Sequence, residues 1–365
     1  MFMFRRKRTS LAKRLWRARI RTTEHEFIKD NMGCCAFIDE LNFCSDEGLL
    51  RNSLIKRLKD NQLEILVNAV ETRGANTSCV LYPREYVDNP HLMTCQIWRW
   101  PDINHVDEIK RLPCCESAKD LVYECINPYH FSRLCYPESP PPPYCRFSAE
   151  RLKPEDRAPS EKEVRGGQLE LRASLTTSGE GASCGAEWCK LAYWELSQRI
   201  GRLYPVDTRV VNVFWDQPHG DGLSLAALAQ HSFSPPPPDA VRRNRNKIGA
   251  GMTLSLEDDG VWVYNRSEWP IFVHSPSLED PDSRSLLVHR VSSGSCLNIF
   301  VPGLSLGLSA PYYCDGTHPH PRPPTGPVDR NTVRISFAKG WGPKYSRQEV
   351  TSCPTWLEVL LAPCR

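Results

Sequence analysis

Gly260-Val261-Trp262-Val263-Tyr264-Asn265-Arg266-Ser267-Glu268-Trp269-Pro270-Ile271-Phe272-Val273 holds the pattern on which the fold turns. Two short runs of β-branched and aromatic residues, 260–264 and 271–273, stand on either side of turn-forming residues. The same rhythm recurs at 188–194 and 210–215, which predicts an all-β sandwich from Glu187 onward. Some helix is expected at its edge, for example over 239–248. Two proline-rich inserts, 235–238 and 310–327, read as surface loops.

Upstream of the sandwich, residues 136 to about 182 shift to Pro, Ser, Glu, Arg and Gly, with almost no large apolar side chains after Phe147. Such a stretch cannot bury enough surface to offset its ordering entropy and is expected to be a disordered linker. A chain of 365 residues carrying 31 prolines therefore divides into two modules around it. In the first module, Leu50, Leu54, Ile55 and Leu58 mark one helical face, and Leu63, Leu66, Val67 and Val70 begin a second helix ending near Gly74. From Ser78 to Trp100, short strands and loops are expected rather than another helix.

Charge is uneven. Nine Lys or Arg lie between Arg5 and Arg21, and the first acid is Glu24. This basic arm reads as a solvated tail with a nuclear-import signal; Leu11, Leu15 and Trp16 at helical spacing offer a short amphipathic helix as the alternative. No apolar stretch long enough to cross a membrane appears, and no signal peptide precedes the first module, so an intracellular chain without membrane insertion is expected. Sixteen cysteines in a reducing compartment then need metal or burial rather than disulfides.

Three constellations could carry chemistry. Cys79, Cys115, Cys125 and His130, the last two spaced C-x4-H, match a closed tetrahedral zinc site, which is structural because four protein ligands leave no position for water. Cys114 is an alternative ligand to Cys115, and buried free thiols are the alternative to a site. Pro141-Pro142-Pro143-Tyr144, after Glu138-Ser139-Pro140, forms a PPxY motif whose polyproline conformation suits a WW domain. The third is a divided basic surface: Arg242, Arg243, Arg245 and Lys247 on a helix, and Lys339-Gly340-Trp341-Gly342 followed by Lys344 and Arg347, where the glycines suggest an exposed loop with a protruding tryptophan. On residue content alone an ordinary solvated face is the better reading of that surface. Enzyme signatures fail on context: Gly303-Leu304-Ser305-Leu306-Gly307 fits a nucleophile elbow but runs into Ala310-Pro311 where a helix is required, and His318 and His320 follow in the same loop.

Several of these strings resemble the Smad family, and its inhibitory branch in particular. The opening Phe4-Arg5-Arg6-Lys7-Arg8 to Lys13-Arg14-Leu15-Trp16-Arg17 is similar to the start of inhibitory Smads. Ser53-Leu54-Ile55-Lys56-Arg57-Leu58-Lys59, Trp98-Arg99-Trp100-Pro101-Asp102 and Cys125-Ile126-Asn127-Pro128-Tyr129-His130 resemble the N-terminal Mad-homology domain. Gly260-Val261-Trp262-Val263-Tyr264-Asn265-Arg266-Ser267 and Phe337-Ala338-Lys339-Gly340-Trp341-Gly342 resemble the C-terminal one.

The resemblance implies an α+β two-domain protein: a small zinc-stabilised α/β N-terminal domain and a C-terminal β-sandwich of FHA-like type with flanking helices, joined by the disordered Pro-rich linker. Its expected divisions are a basic arm and irregular segment at 1–48, the N-terminal Mad-homology domain at 49–136, the linker at 137–184 and the C-terminal domain at 185–365. It implies one structural zinc on Cys79, Cys115, Cys125 and His130. It also implies a receptor or phosphopeptide surface at Arg243, Lys247, Lys339, Trp341, Lys344 and Arg347, which reverses the solvated-face reading. The implied function is that of a non-enzymatic adaptor antagonising TGF-β/BMP-type signalling in cytoplasm and nucleus. Its implied partners are activated type I receptor kinases, other Smads and a WW-domain HECT-type ubiquitin ligase. DNA contact should be weak or non-specific, since only a short connection joins Pro83 to Cys95 where DNA-binding relatives carry a basic hairpin. The alternative is a zinc-dependent DNA-binding repressor. The chain ends Leu360-Leu361-Ala362-Pro363-Cys364-Arg365, without the serine tail of receptor-activated members, and the insert at 310–327 stands where relatives have helix.

Overall fold

The structure is a computed structural model that describes residues 2–20, 54–74, 77–135, 187–216, 220–230, 236–278, 287–301 and 331–362. The linker, the PPxY motif at Pro141–Tyr144, the insert at 310–327 and the 303–307 motif lie outside the described residues. The chain forms two compact units, Met1–Leu134 and Cys135–Arg365. No described helix is long and apolar enough to cross a membrane.

The first unit opens with a correction. The basic arm is not a tail over its first turns: it forms α1, Phe2–Arg17. Leu11 and Leu15, one helical turn apart, are buried in a single core with Leu54, Leu58 and, from α2 (Asp60–Glu71), Leu63, Leu66, Val67 and Val70. The cations of α1 meet the acids of α2. Arg8 donates to Asp60 at 2.6 Å and to the backbone carbonyls of Ile55 and Lys56 at 2.9 and 2.8 Å, and Arg14 forks onto Glu71 at 2.9 and 2.5 Å. Lys7 pairs with Glu64. The arginine fork on Glu71 holds that carboxyl below its ordinary range, first through the hydrogen bond.

A second correction follows β1 (Leu81–Pro83): Pro90–Trp98 is a helix, α3, where strands and loops are expected. Pro90 is pre-set for the first helical turn and Asn89 before it turns the chain at φ +51°. Thr94, Cys95, Ile97 and Trp98 are all buried, so no polar stripe marks the helical period. The Trp98 indole N–H donates to the Leu15 carbonyl at 3.1 Å, which locks α3 onto α1. Two antiparallel pairs complete the unit: β1 with β3 (Tyr123–Cys125), and β2 (Ile109–Arg111) with β4 (Phe131–Leu134).

The second unit is the expected sandwich. One sheet runs β12-β11-β14-β15-β5-β6, with β5 Cys189–Glu195, β6 Gln198–Val206, β11 Ile271–His274, β12 His289–Val291, β14 Thr332–Phe337 and β15 Trp356–Leu361. The other includes β13-β10-β9-β7-β8, with β7 Val210–Phe214, β8 Gly222–Ser224, β9 Met252–Glu257, β10 Gly260–Asn265 and β13 Ser295–Phe300. Alternate residues of both sheets, such as Leu191, Tyr193, Val333, Ile335 and Val359 from one and Val211, Val213, Leu254, Val263 and Ile299 from the other, form one core. Beside α4 (Leu225–Gln230), the edge helix α5 occupies Asp239–Ile248, the residues named for it from sequence. Val241, Asn244 and Ile248 are its buried face.

Candidate metal centre and cationic surface

The four predicted ligands come together. The ligand atoms of Cys79, Cys115, Cys125 and His130 all lie within 4.8 Å of one another, in the one group of three or more candidate ligands found among the described residues. Cys125 ends β3, and the β1–β3 pairing holds it opposite Leu81. His130 is set by a single 3-10 turn, Pro128–His130, capped by Asn127, whose side chain accepts from the Tyr129 N–H. Cys79 Sγ stands 3.8 Å from Cys115 Sγ and 3.4 Å from His130 Nδ1; Cys125 Sγ stands 3.5 Å from the same nitrogen. A tetrahedron with metal–sulfur bonds of about 2.3 Å and metal–nitrogen bonds of about 2.0 Å has edges of roughly 3.8 Å and 3.5 Å, so the donor set fits one such ion. Cys114 is exposed and outside the group, which resolves the ligand alternative in favour of Cys115.

Around the ligands lies a second layer that sequence reasoning missed. His130 Nε2 sits 2.8 Å from the Thr77 carbonyl, which selects the tautomer that leaves Nδ1 facing the thiols. Arg111 points one nitrogen at Cys115 Sγ, 3.7 Å away, and at the Ser117 hydroxyl, 2.7 Å away. Its other nitrogen pairs with Glu124, a carboxylate only 1% exposed, which also pairs with Arg84 and lies 3.7 Å from His91 Nδ1. Glu124 precedes Cys125, so a local sequence signal existed, but its partners sit 13, 33 and 40 residues away across no recognisable motif. The Cys115 thiol is held far below the ordinary range, first by hydrogen bonds from Cys125 and Cys79. Burial disfavours a charged His130, yet its hydrogen bonds to Cys115 and Cys79 prevail and raise its pKa to about 10. Cys125 is pushed the opposite way, far above the ordinary thiol range, first by its hydrogen bonds with Cys115 and Cys79, so the four groups share protons that a bound cation would displace.

The cationic surface of the second unit differs from expectation in two respects. Trp341 does not protrude: it is 2% exposed, packed with Phe272, Val350, Cys353 and Trp356. Its glycines serve an inward fold, since a Cβ on Gly340 would meet the Tyr345 ring at 2.5 Å and Gly342 takes φ +93°. The helix also offers fewer available cations than its sequence suggests. Arg245 forks onto buried Glu195 at 2.7 and 2.8 Å and covers the Trp215 ring, and Arg242 pairs with Asp239.

The other cations named from sequence reach solvent. Arg243 and Lys344 are exposed, and Lys247, Lys339 and Arg347 are half-exposed. Buried Asn244 ties α5 to the end of β14, donating to the Phe337 carbonyl at 2.9 Å and to Thr355 Oγ1 at 2.7 Å. The Ala338 N–H donates to the Pro270 carbonyl at 2.9 Å, and the Lys247 ammonium lies 4.6 Å over the centre of the Trp269 ring. Helix, turn and loop therefore join at Phe337 and Ala338. An aromatic does stand at this surface, but it is Trp269, which the sequence reading passed over as part of a turn.

Comparison with known proteins agrees with both halves. Residues 49–135 match the MH1 domain and residues 186–362 the MH2 domain. The chain is 44% identical over 328 residues to Mothers against decapentaplegic homolog 6 of Gallus gallus, covering 85% of this chain and 74% of that protein. It is 41% identical over 345 residues to homolog 7 of Homo sapiens, covering 87% and 78%. Among solved structures, the interferon regulatory factor 9 IAD domain aligns with 50% of this chain and 87% of its own at 14% identity; its TM-score of 0.31 is too low to bear on the fold. An MH1 unit followed by an MH2 unit defines a Mad-homology signalling protein. The chain belongs to the Smad family, in the inhibitory branch that these two relatives represent, and so to TGF-β/BMP signalling.

Proposed function

We propose that the chain is a non-enzymatic adaptor whose C-terminal domain binds activated type I receptor kinases through Arg243, Lys247, Lys339, Lys344 and Arg347, denying that surface to receptor-activated Smads. The observation that carries this reading is the junction at Phe337 and Ala338, where hydrogen bonds unite the cation-bearing helix with the cation-bearing loop. Arginine and lysine on two tied elements suit phosphate groups, which take charge-assisted hydrogen bonds from several directions. Trp341 supports the surface from within rather than touching the partner.

Two further parts complete the proposal. Cys79, Cys115, Cys125 and His130 hold one zinc ion, which when bound supplies a structural cross-link with no reactive position. Pro141, Pro142, Pro143 and Tyr144 recruit a WW-domain HECT-type ubiquitin ligase, so that destruction of the receptor accompanies its blockade. The adaptor works in the cytoplasm and the nucleus, contacts other Smads, and touches DNA weakly at most. Against the DNA-binding repressor reading, Lys7, Arg8 and Arg14 of α1 are engaged with acids of α2. Co-precipitation with a panel of activated type I receptors, with and without phosphatase, tests the whole. Phosphatase-sensitive capture of at least one receptor is the expected result, and capture of none overturns the proposal.

A further inference from the structure

Trp269 is 46% exposed, one of two large apolar side chains described as exposed in the second unit; the other, Val210, is 37% exposed at the start of β7. Leaving an indole in water is unfavourable, and a flexible turn would fold it away. This turn is not flexible. Asn265, fully buried, donates through its side chain to the Trp269 carbonyl at 2.8 Å and to the Val291 carbonyl at 3.1 Å. Ser267 Oγ donates to the Trp269 carbonyl at 2.7 Å and accepts from the Trp269 N–H at 3.0 Å. The Ser293 hydroxyl fastens the same turn from the next hairpin, donating to the Ser267 carbonyl at 2.6 Å.

We infer that Trp269 is the apolar half of the receptor-binding surface: it accepts a large apolar side chain lying beside the phosphorylated residue that the cations hold. The inference rests on the receptor-binding reading above and adds to it a rule of selection. Charge alone cannot distinguish one phosphorylated segment from another, because any doubly charged phosphate satisfies a cluster of Lys and Arg. A rigid aromatic next to that cluster can. Its ring loses little conformational freedom on burial, and aromatic anchors of this kind dominate interface energies. The geometry places the two halves together: Lys247 holds its charge over the indole, and the next residue, Pro270, is hydrogen-bonded to the residue before Lys339. Glu268, exposed and next to Trp269 in sequence, is the acid of this turn and would repel a phosphate placed on its side. The phosphate therefore belongs on the Lys247 and Lys339 side of the ring, and the apolar residue on its outer side.

The test measures affinity of the full chain for the phosphorylated cytoplasmic domain of an activated type I receptor at low and high salt. Four proteins are compared: wild type, Trp269→Ala, Trp269→Phe and Lys339→Glu. Trp269→Ala should bind about 30-fold more weakly at both salt concentrations, the cost of truncating a central aromatic, while Trp269→Phe stays within a few-fold of wild type. Lys339→Glu should bind far more weakly and show a shallower salt dependence. If Trp269→Ala binds within threefold of wild type while Lys339→Glu fails, the apolar platform is wrong and the receptor reading stands. If both variants bind like wild type, the receptor reading falls and takes the platform with it. Hydroxyl-radical footprinting of the wild-type chain needs no variant: Trp269 oxidation should drop when the receptor domain binds, and unchanged oxidation overturns the inference.

Discussion

The two units solve the problem of stability differently. The second gathers most of its buried side chains into one large two-sheet core, drawn from eleven strands and two edge helices, with a smaller aromatic cluster around Trp341 beside it. The first divides its apolar residues between a helical cluster around Leu15 and Leu66 and a separate small cluster of Cys95, Ile103, Ile109 and Phe131, with strands of three or four residues between them. Short two-stranded pairs are not stable alone in water. Cys79, Cys115, Cys125 and His130 stand where the β1–β3 pair meets the 3-10 turn before β4, and a metal held there would replace the core that this part of the unit lacks. The sandwich carries its cations on a scaffold whose core needs no such staple.

Chelation is therefore the largest perturbation and should fall on one unit alone. Ligand-set metals of this kind supply about 10 kcal/mol or more of folding free energy to small domains. Limited proteolysis after chelation should open sites within 79–130 while the sandwich keeps its melting transition; simultaneous loss of both transitions would erase the contrast. Next in size is Glu124→Ala, which leaves Arg111 and Arg84 without their buried counter-charge and costs about 3–5 kcal/mol. Its sharper readout is metal retention: released zinc, followed with a chromophoric chelator, should appear faster than from wild type. Leu15→Ala should cost about 2–5 kcal/mol, because the side chain is fully buried between α1 and its neighbours. A melting curve unchanged by that substitution would return the N-terminal segment to the status of a tail.

The smallest effect belongs to the surface pair of Arg14 and Glu71. The folded-state pKa of Glu71 is depressed, so the pair's contribution is present above the ordinary carboxylate pKa and is lost as pH falls through the depressed value. Arg14→Ala should therefore weaken the first unit slightly at neutral pH and not at all in strong acid. Denaturation curves at the two pH values check it.

Sequence reasoning succeeded where the deciding contacts are local. Leu63, Leu66, Val67 and Val70 repeat at helical spacing, α5 lies between Pro238 and Gly249, and the β runs alternate between turns, so each element declares itself within ten residues or so. It failed where partners are distant. α1 read as a tail because the acids that neutralise Arg8 and Arg14 lie 52 and 57 residues away. α3 lacks a polar stripe. Trp341 looked exposed because flanking glycines usually mark loops; here they let Tyr345 close over Gly340 and the indole turn inward. The ligands of the metal group were legible from Cys and His chemistry, whereas Arg111 and Glu124 behind them were not, since arginine and glutamate are ordinary surface residues until the fold buries them.

The proposed receptor grip depends on cations carried by elements that meet at Phe337 and Ala338. Isothermal titration of the receptor's phosphorylated cytoplasmic domain with the wild-type chain and with the double variant Lys339→Glu, Arg347→Glu tests it most directly. Affinity should fall at least about 100-fold in the variant, as expected for losing two charge-assisted contacts and replacing them with repulsion, with no change in the melting of either unit. Equal affinity of the two proteins, or equal affinity of the wild type for the dephosphorylated domain, would contradict it.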